Sequence, residues 1–210
     1  IFTLCDTITV LRDGQHVARG AILVELKDTE QDAGAAQSQA RLTQAERAYQ
    51  RAHAYANDRV QGRITGDRTP GNKPIAWHPD VHRMLMSMRA RIEAMRCLAY
   101  SAAHSLDLAT ADPDAPRRAH QQARLDFLIP IVKAWCTESA CDVSSLALQV
   151  HGGMGYIEET GAAQHFRDAR ITTIYEGTTG IQANDLIGRK IAREGGATIK
   201  AVIGSMLQVD

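Results

Sequence analysis

The chain has 210 residues, 44% of them hydrophobic, enough to bury one substantial core or one core and a piece of another. Lys and Arg balance Asp and Glu at 24 each, so no global field draws in nucleic acid or another polyanion. No apolar run approaches a membrane span and no basic segment with an apolar core marks a signal peptide. Cys5, Cys97, Cys136 and Cys141 have neither metal-ligand spacing nor the density of a disulfide framework, so reduced thiols in the cytoplasm are expected, with no metal.

Residues 1–28 read as a small β meander. The β-prone runs Thr7-Ile-Thr-Val-Leu, Gln15-His-Val and Ala21-Ile-Leu-Val-Glu-Leu are separated by Asp13-Gly14 and Arg19-Gly20, both good turn signals. The segment from Val10 to Glu30, running on into Ala-Gln-Ser-Gln-Ala-Arg-Leu, resembles the lipoyl-like half-motif and first hairpin helix of membrane fusion (periplasmic adaptor) proteins. It carries no Asp-Lys-Ala or Met-Lys-Met site, so attached lipoate or biotin is not expected.

Thr29 is placed to cap a long helix reaching about Gln61, with Leu42, Ala45, Tyr49, Ala52 and Ala56 at alternating spacings of three and four. Residues 63–79 form a Pro/Gly-rich loop of the length that is usually functional or mobile. His78 and His82 are four apart, but Pro79 and the want of a third ligand make them a helix-start pair. From Asp80 a second helix carries Val81, Met84, Leu85, Met88, Ile92, Met95, Ala99 and Ala102 on one core face. Ala111-Asp-Pro-Asp-Ala-Pro breaks it. A third helix from about Arg117 presents Leu128, Ile131, Val132, Trp135, Ser139, Val143, Leu146 and Val150, with a kink expected at Pro130. A shorter helix spans about Ala162 to Asp168 and a last one Thr178 to about Arg193. Arg167 and Asp168 are expected to pair beside the loop between them, and residues 196–210 remain as a tail.

The chemistry concentrates between Gln149 and Asp185. Gly152, Gly153 and Gly155 permit positive φ and close approach of backbone to a bound group. Glu176 stands between Tyr175 and Gly177, just before a helix start that Thr178 or Thr179 can cap and whose free N–H groups suit an anion or a cofactor oxygen. A carboxylate acts as general base on a carbon acid when it is partly desolvated, and Ile171, Ile174 and Tyr175 are expected to supply the cover. Spacing alone also allows a plain helix-terminal turn and a first-turn acid complementing a helix dipole. Glu158 stands where the last glycine of a dinucleotide fingerprint would lie and no strand precedes it, which excludes a Rossmann turn.

Three linked pieces occur here in one order: Gln149-x-x-Gly-Gly-x-Gly-Tyr156, Arg167-Asp-Ala-Arg170 and Ile174-Tyr-Glu-Gly-Thr178 with a following helix. Together they closely resemble the C-terminal signature of acyl-CoA dehydrogenases. The resemblance implies a mainly α fold, an antiparallel four-helix bundle over roughly residues 45–195, within a helical unit of 29–195 preceded by the β meander. The junction between the two resemblances falls near Leu42 to Ala48, so the chain reads as chimeric. The long loop is similar to that of a subgroup of larger members, including those acting on methylthio-propionyl-CoA.

The family's glutamate takes the α-proton of an acyl-CoA thioester while FAD accepts a hydride from the β-carbon, and this implies Glu176 as the base. Cofactor contacts carried over fall on Arg59, Gln61, Gln149, Gly152, Gly153 and Thr178, and substrate contacts on Tyr175 and Gly177. Gly180 and Pro79 stand where many relatives have polar side chains that touch the cofactor, so those two contacts are not expected. The resemblance further implies a homo-oligomer (dimer or tetramer) and an electron-transfer partner. The family's N-terminal helical and middle β-domains are not in the sequence, so this chain alone is expected neither to retain FAD nor to turn over. Two other readings stay open: a non-catalytic helical oligomerisation module, and an envelope adaptor fused to a decayed enzyme domain.

Overall fold

The computed structural model describes residues 11–12, 15–16 and 30–207, with side-chain surroundings from Leu42 onward. Strands β1 (Leu11–Arg12) and β2 (Gln15–His16) pair antiparallel, Leu11 opposite His16, around the Asp13-Gly14 dipeptide. The rest of the expected meander lies outside the described residues.

Helix α1 (Glu30–Asp58) ends close to its expected limit and buries Leu42, Ala45, Ala48, Ala52 and Ala56. Four alanines in that stripe let the neighbouring backbone approach closely, and alanine is also the strongest helix former. After α1 the chain doubles back. Val60 bridges Pro74, Gln61 N donates to Lys73 O at 3.1 Å and Ile75 N donates to Arg59 O at 2.8 Å. The loop between them is therefore closed at its base by backbone hydrogen bonds.

Helix α2 (Pro79–Ala111) starts with proline at its first position, where a missing N–H costs nothing. It buries Met84, Leu85, Met88, Ile92, Met95 and Ala102, the methionines filling irregular gaps against α3. Helix α3 (Ala115–His151) is the central element, packing on α1, α2 and the helices that follow it. Pro130 sits buried within it. The chain then turns through α4 (Gly153–Tyr156) and a short 3-10 turn into α5 (Ala162–Ile171), α6 (Thr179–Asn184), a π-helical stretch (Asp185–Ile191) and α7 (Ala197–Met206).

Contacts along this last limb run backward against α3. Gly161 lies beside Arg51 of α1, Thr172 meets Lys133, and Lys190 approaches Asp126 at 4.0 Å. α5, α6 and the π-helical stretch thus form the fourth arm of an up-down-up-down bundle.

Four expectations need correction. Trp135 is 37% exposed rather than in the core. The buried arc of α3 runs through Val132, Cys136, Ser139, Ala140, Val143, Ala147 and Val150, and Trp135 lies about 90° round from its middle at 100° per residue. Arg167 does not pair with Asp168. It meets Glu158 at 3.4 Å and donates to Gln164 Oε1 at 2.7 Å, while Asp168 accepts from Gln164 Nε2 at 2.6 Å, because adjacent helical residues do not face each other. The last helix is not uniform but changes to π geometry after Asn184. Residues 197–206 form α7, whose Ile199 and Val202 pack on the core, rather than a tail.

Candidate functional site

The loop carrying Glu176 is a set of nested turns. Thr172 N donates to Ala169 O at 3.1 Å, Ile174 N to Ile171 O at 3.0 Å and Tyr175 N to Ile171 O at 3.2 Å, which winds up the end of α5. Glu176 follows at φ 56°, the single non-glycine residue with positive φ among the described residues, and Gly177 at φ 88°. A side chain at Gly177 is strained by that φ, while Gln182 Nε2, 2.8 Å from where its Cβ would stand, is the end of a flexible side chain that can move aside. Thr178 then caps α6, its hydroxyl accepting from Ile181 N at 3.3 Å, as the sequence pattern requires. Thr179 donates to Glu138 Oε1 of α3 at 2.6 Å.

Beneath the loop lies a residue that pattern reading passed over. Lys133, 7% exposed on α3, donates to Thr172 O at 3.1 Å and to Gly177 O at 2.5 Å. Its signal was available: a lysine beside the buried arc residues Val132 and Cys136 needs acceptors nearby.

The expected apolar cover does not close over Glu176. The carboxylate residue is exposed, and Ile171, Ile174 and Tyr175 are each 40 to 53% exposed. The inner face of this limb is instead made by the small residues Ala162, Ala163, Ala169, Thr172 and Thr173, which leaves the large side chains as an apolar surface around the acid.

The glycine turn and the end of α1 form a second cluster. α3 ends as Gly152 N donates to Gln149 O at 3.0 Å, and Gly152 takes φ 58°, ψ −140°, open only to glycine. Gly155 is buried where a Cβ would stand 2.4 Å from Leu148 O. Gly153, by contrast, is exposed with nothing within 4 Å of such a Cβ. His151 is buried, its Nδ1 donating to Ala147 O at 2.7 Å, and its ring stacks on Tyr55 of α1 at 4.5 Å between centroids. One turn beyond Tyr55, Arg59 Nη2 donates to Gln61 Oε1 at 3.2 Å. His78, at the N-cap of α2, donates from Nε2 to Gln61 O at 2.8 Å.

Arg59 and Gln61 are therefore in direct contact, and the Tyr55–His151 stack sets them at the same end of the bundle as Gln149, Gly152 and Gly153. Tyr175, Glu176, Gly177 and Thr178 form a separate group. Lys133, which holds their loop, and Gln149 are sixteen residues apart on α3, about 24 Å along the axis. Within one chain the two groups do not converge.

A model of the acyl-CoA dehydrogenase C-terminal domain matches residues 35–191. The chain belongs to the acyl-CoA dehydrogenase family. The match begins ahead of the Leu42–Ala48 junction expected from sequence. Over 156 residues, 74% of this chain and 26% of the relative, the chain is 55% identical to 3-methylmercaptopropionyl-CoA dehydrogenase of Ruegeria pomeroyi. Over 163 residues, 75% of this chain and 26% of the relative, it is 37% identical to a broad-specificity linear acyl-CoA dehydrogenase of Mycobacterium tuberculosis. The solved butyryl-CoA dehydrogenase of Megasphaera elsdenii aligns with 75% of this chain and 36% of its own, at a TM-score of 0.58 and 30% identity. The chain thus spans about a quarter of the length of these two curated acyl-CoA dehydrogenases. Among the described residues no helix is long and apolar enough to cross a membrane.

Proposed function

We propose that this chain supplies the C-terminal domain of an FAD-dependent acyl-CoA dehydrogenase, with Glu176 removing the α-proton of an acyl-CoA thioester. The observation that carries this reading is the backbone of Glu176. An L-residue in the left-handed region costs of order 1 kcal/mol, and strain of this kind persists where the surrounding structure holds a side chain in a required direction. Glu176 is exposed, and so are the apolar Ile171, Ile174 and Tyr175 of the same loop. An acyl chain or a further domain laid on those side chains would remove water from the acid and raise its basicity.

The residues of the second cluster suit FAD. Gly153 has neither a positive φ nor a neighbour that would forbid a side chain, so its bare backbone admits close approach from outside the chain. Arg59, at the same end of the bundle, supplies a cation for a pyrophosphate, and the exposed amides of Gln149 and Gln61 supply donors and acceptors. FAD, when bound, accepts the hydride lost from the β-carbon. The separation of the two clusters along α3 supports a homo-oligomer in which the glycine turn of one protomer serves a flavin lying nearer the base loop of another. The substrate class follows the relatives, whose names specify a thioether-bearing or linear acyl-CoA. Reoxidation then calls for an electron-transfer partner.

An absorbance scan of the purified chain for oxidised flavin, beside size-exclusion chromatography with light scattering, tests the reading. A flavin band on a defined oligomer is expected once the remaining domains of the fold are supplied, and Glu176→Gln should keep that band. Turnover of the Gln variant should fall by about 10²–10⁴-fold, the usual worth of a general base. Retained turnover would refute the assignment.

A further inference from the structure

We infer that Lys133 is the positioning residue of the base loop: its ammonium group ties the two flanks of Glu176 together and so fixes the direction of the carboxylate. The inference rests on the proposal that Glu176 is the base. Lys133 lies on the buried arc of α3, where methionine or leucine would fill the same volume without the cost of desolvating a cation. That cost is met only if several acceptors replace water. An ammonium has three donors, and two of them reach Thr172 O at 3.1 Å and Gly177 O at 2.5 Å. One carbonyl lies where α5 ends, and the other belongs to the residue directly after the base.

Between those anchors the chain passes through φ 56° at Glu176 and φ 88° at Gly177, conformations that a free chain seldom holds. The hydrogen bond from the side chain of Gln182 to Glu176 O is long, at 3.5 Å, and the Thr178 cap secures the start of α6. Lys133 reaches both flanks of the acid from the rigid central helix, whereas the tie from Glu138 of α3 to Thr179 lies beyond them on α6. A base must come within hydrogen-bond reach of the proton it removes, so loss of this tie affects orientation rather than binding.

The test compares Lys133→Met with Thr137→Val in the full chain. Thr137 is buried one turn further along α3, and its hydroxyl donates to Lys133 O and Ala134 O within the same helix. Amide hydrogen exchange and the ¹³C signal of the Glu176 carboxyl are followed by NMR. Lys133→Met should speed exchange about tenfold or more at residues 172–178 while α1 and α2 stay protected, and move the Glu176 signal toward that of a mobile surface glutamate. Thr137→Val should leave the loop as it was. Lys133→Gln, which keeps one amide donor, should fall between, and it carries the comparison if the methionine variant fails to fold. Unchanged exchange at 172–178, or loosening spread evenly over the bundle, would overturn the inference. In a flavin-loaded form the Lys133 variants should lose kcat with KM little changed, and an equal loss in both would also count against it. The NMR readouts need no cofactor, so a failure to bind flavin even with the remaining domains of the fold supplied would sink the proposed function and leave the Lys133 result standing.

Discussion

Gly155→Ala measures how tightly the glycine turn is seated on α3. A Cβ at this position would lie 2.4 Å from Leu148 O, 3.0 Å from the Cβ of His151 and 3.1 Å from the Leu148 carbonyl carbon. A relaxed carbon–oxygen contact is about 3.3–3.6 Å, so the turn must open by about 1 Å. Leu148 O belongs to the backbone of the last turns of α3 and has no rotamer by which to move aside. Overpacking of this kind costs about 1–3 kcal/mol, and replacing glycine by alanine returns about 0.4–1 kcal/mol through the unfolded chain. The expected net loss is about 1–2 kcal/mol, or roughly 2–8 °C in Tm for a domain of this size. Urea unfolding followed by far-UV circular dichroism reads it directly. Gly153→Ala is the matched control, because its Cβ meets nothing within 4 Å and the residue opens a short helix, so stability should hold or rise. Equal stability of the two variants would refute the argument that Gly155 is required by its contact with Leu148.

Glu176→Gly should stabilise the fold by about 1 kcal/mol, because it releases a left-handed L-residue, while abolishing any activity that depends on the acid; a fall in Tm would show that the φ is not strained. Arg59→Ala should leave the unfolding midpoint within about 0.5 kcal/mol, as for other exposed positions, yet weaken flavin uptake, which a fluorescence titration with FAD would measure. Burial holds the pKa of His165 below its ordinary 6.5, helped by the charge of Arg51 and then Arg47 and opposed by Asp168. The unfolded chain therefore binds a proton on His165 before the folded one does, and stability falls as pH drops through about 6.5. His165→Gln should flatten the acid side of a stability–pH curve over that window, and an unchanged slope would remove His165 from the explanation.

Much of the bundle was legible because its signals are local. The α2 stripe from Met84 to Met95 follows helical spacing without interruption, Pro79 marks the helix start, and Thr178 stands where a cap must be. α3 was harder because its buried arc is partly polar. Lys133, Thr137, Ser139 and Ser144 are buried there, and Thr137 and Ser144 hide their hydroxyls by donating to carbonyls of their own helix, at 2.9 Å and 2.8 Å. With Lys133, Thr137 and Ser144 discounted as polar, the residues that remained shifted the apparent face toward Ile131, Trp135 and Leu146, at its edge. The exposure of Glu176 was unreadable for another reason. Whether Ile171, Ile174 and Tyr175 cover an acid or surround it depends on the turn that brings them there, and three such residues in a short loop leave no period from which to tell.

The alanine face of α1 has a consequence for how such a bundle tolerates what is joined to it. From Leu42 onward the fully buried side chains of this helix are four methyl groups and one isobutyl group, with the rings of Tyr49 and Tyr55 at the margin, so what that stripe contributes is position and phase more than shape. Interlocking large side chains would tie each residue to one partner, whereas a smooth rail accepts its neighbours wherever helical phase is kept. An upstream segment of quite different origin can run into such a rail without retuning the core, provided it arrives as helix and in step. Insertion of one or two residues ahead of Leu42 would be absorbed upstream, whereas the same insertion between Ala45 and Ala56 would turn the rail away from α3.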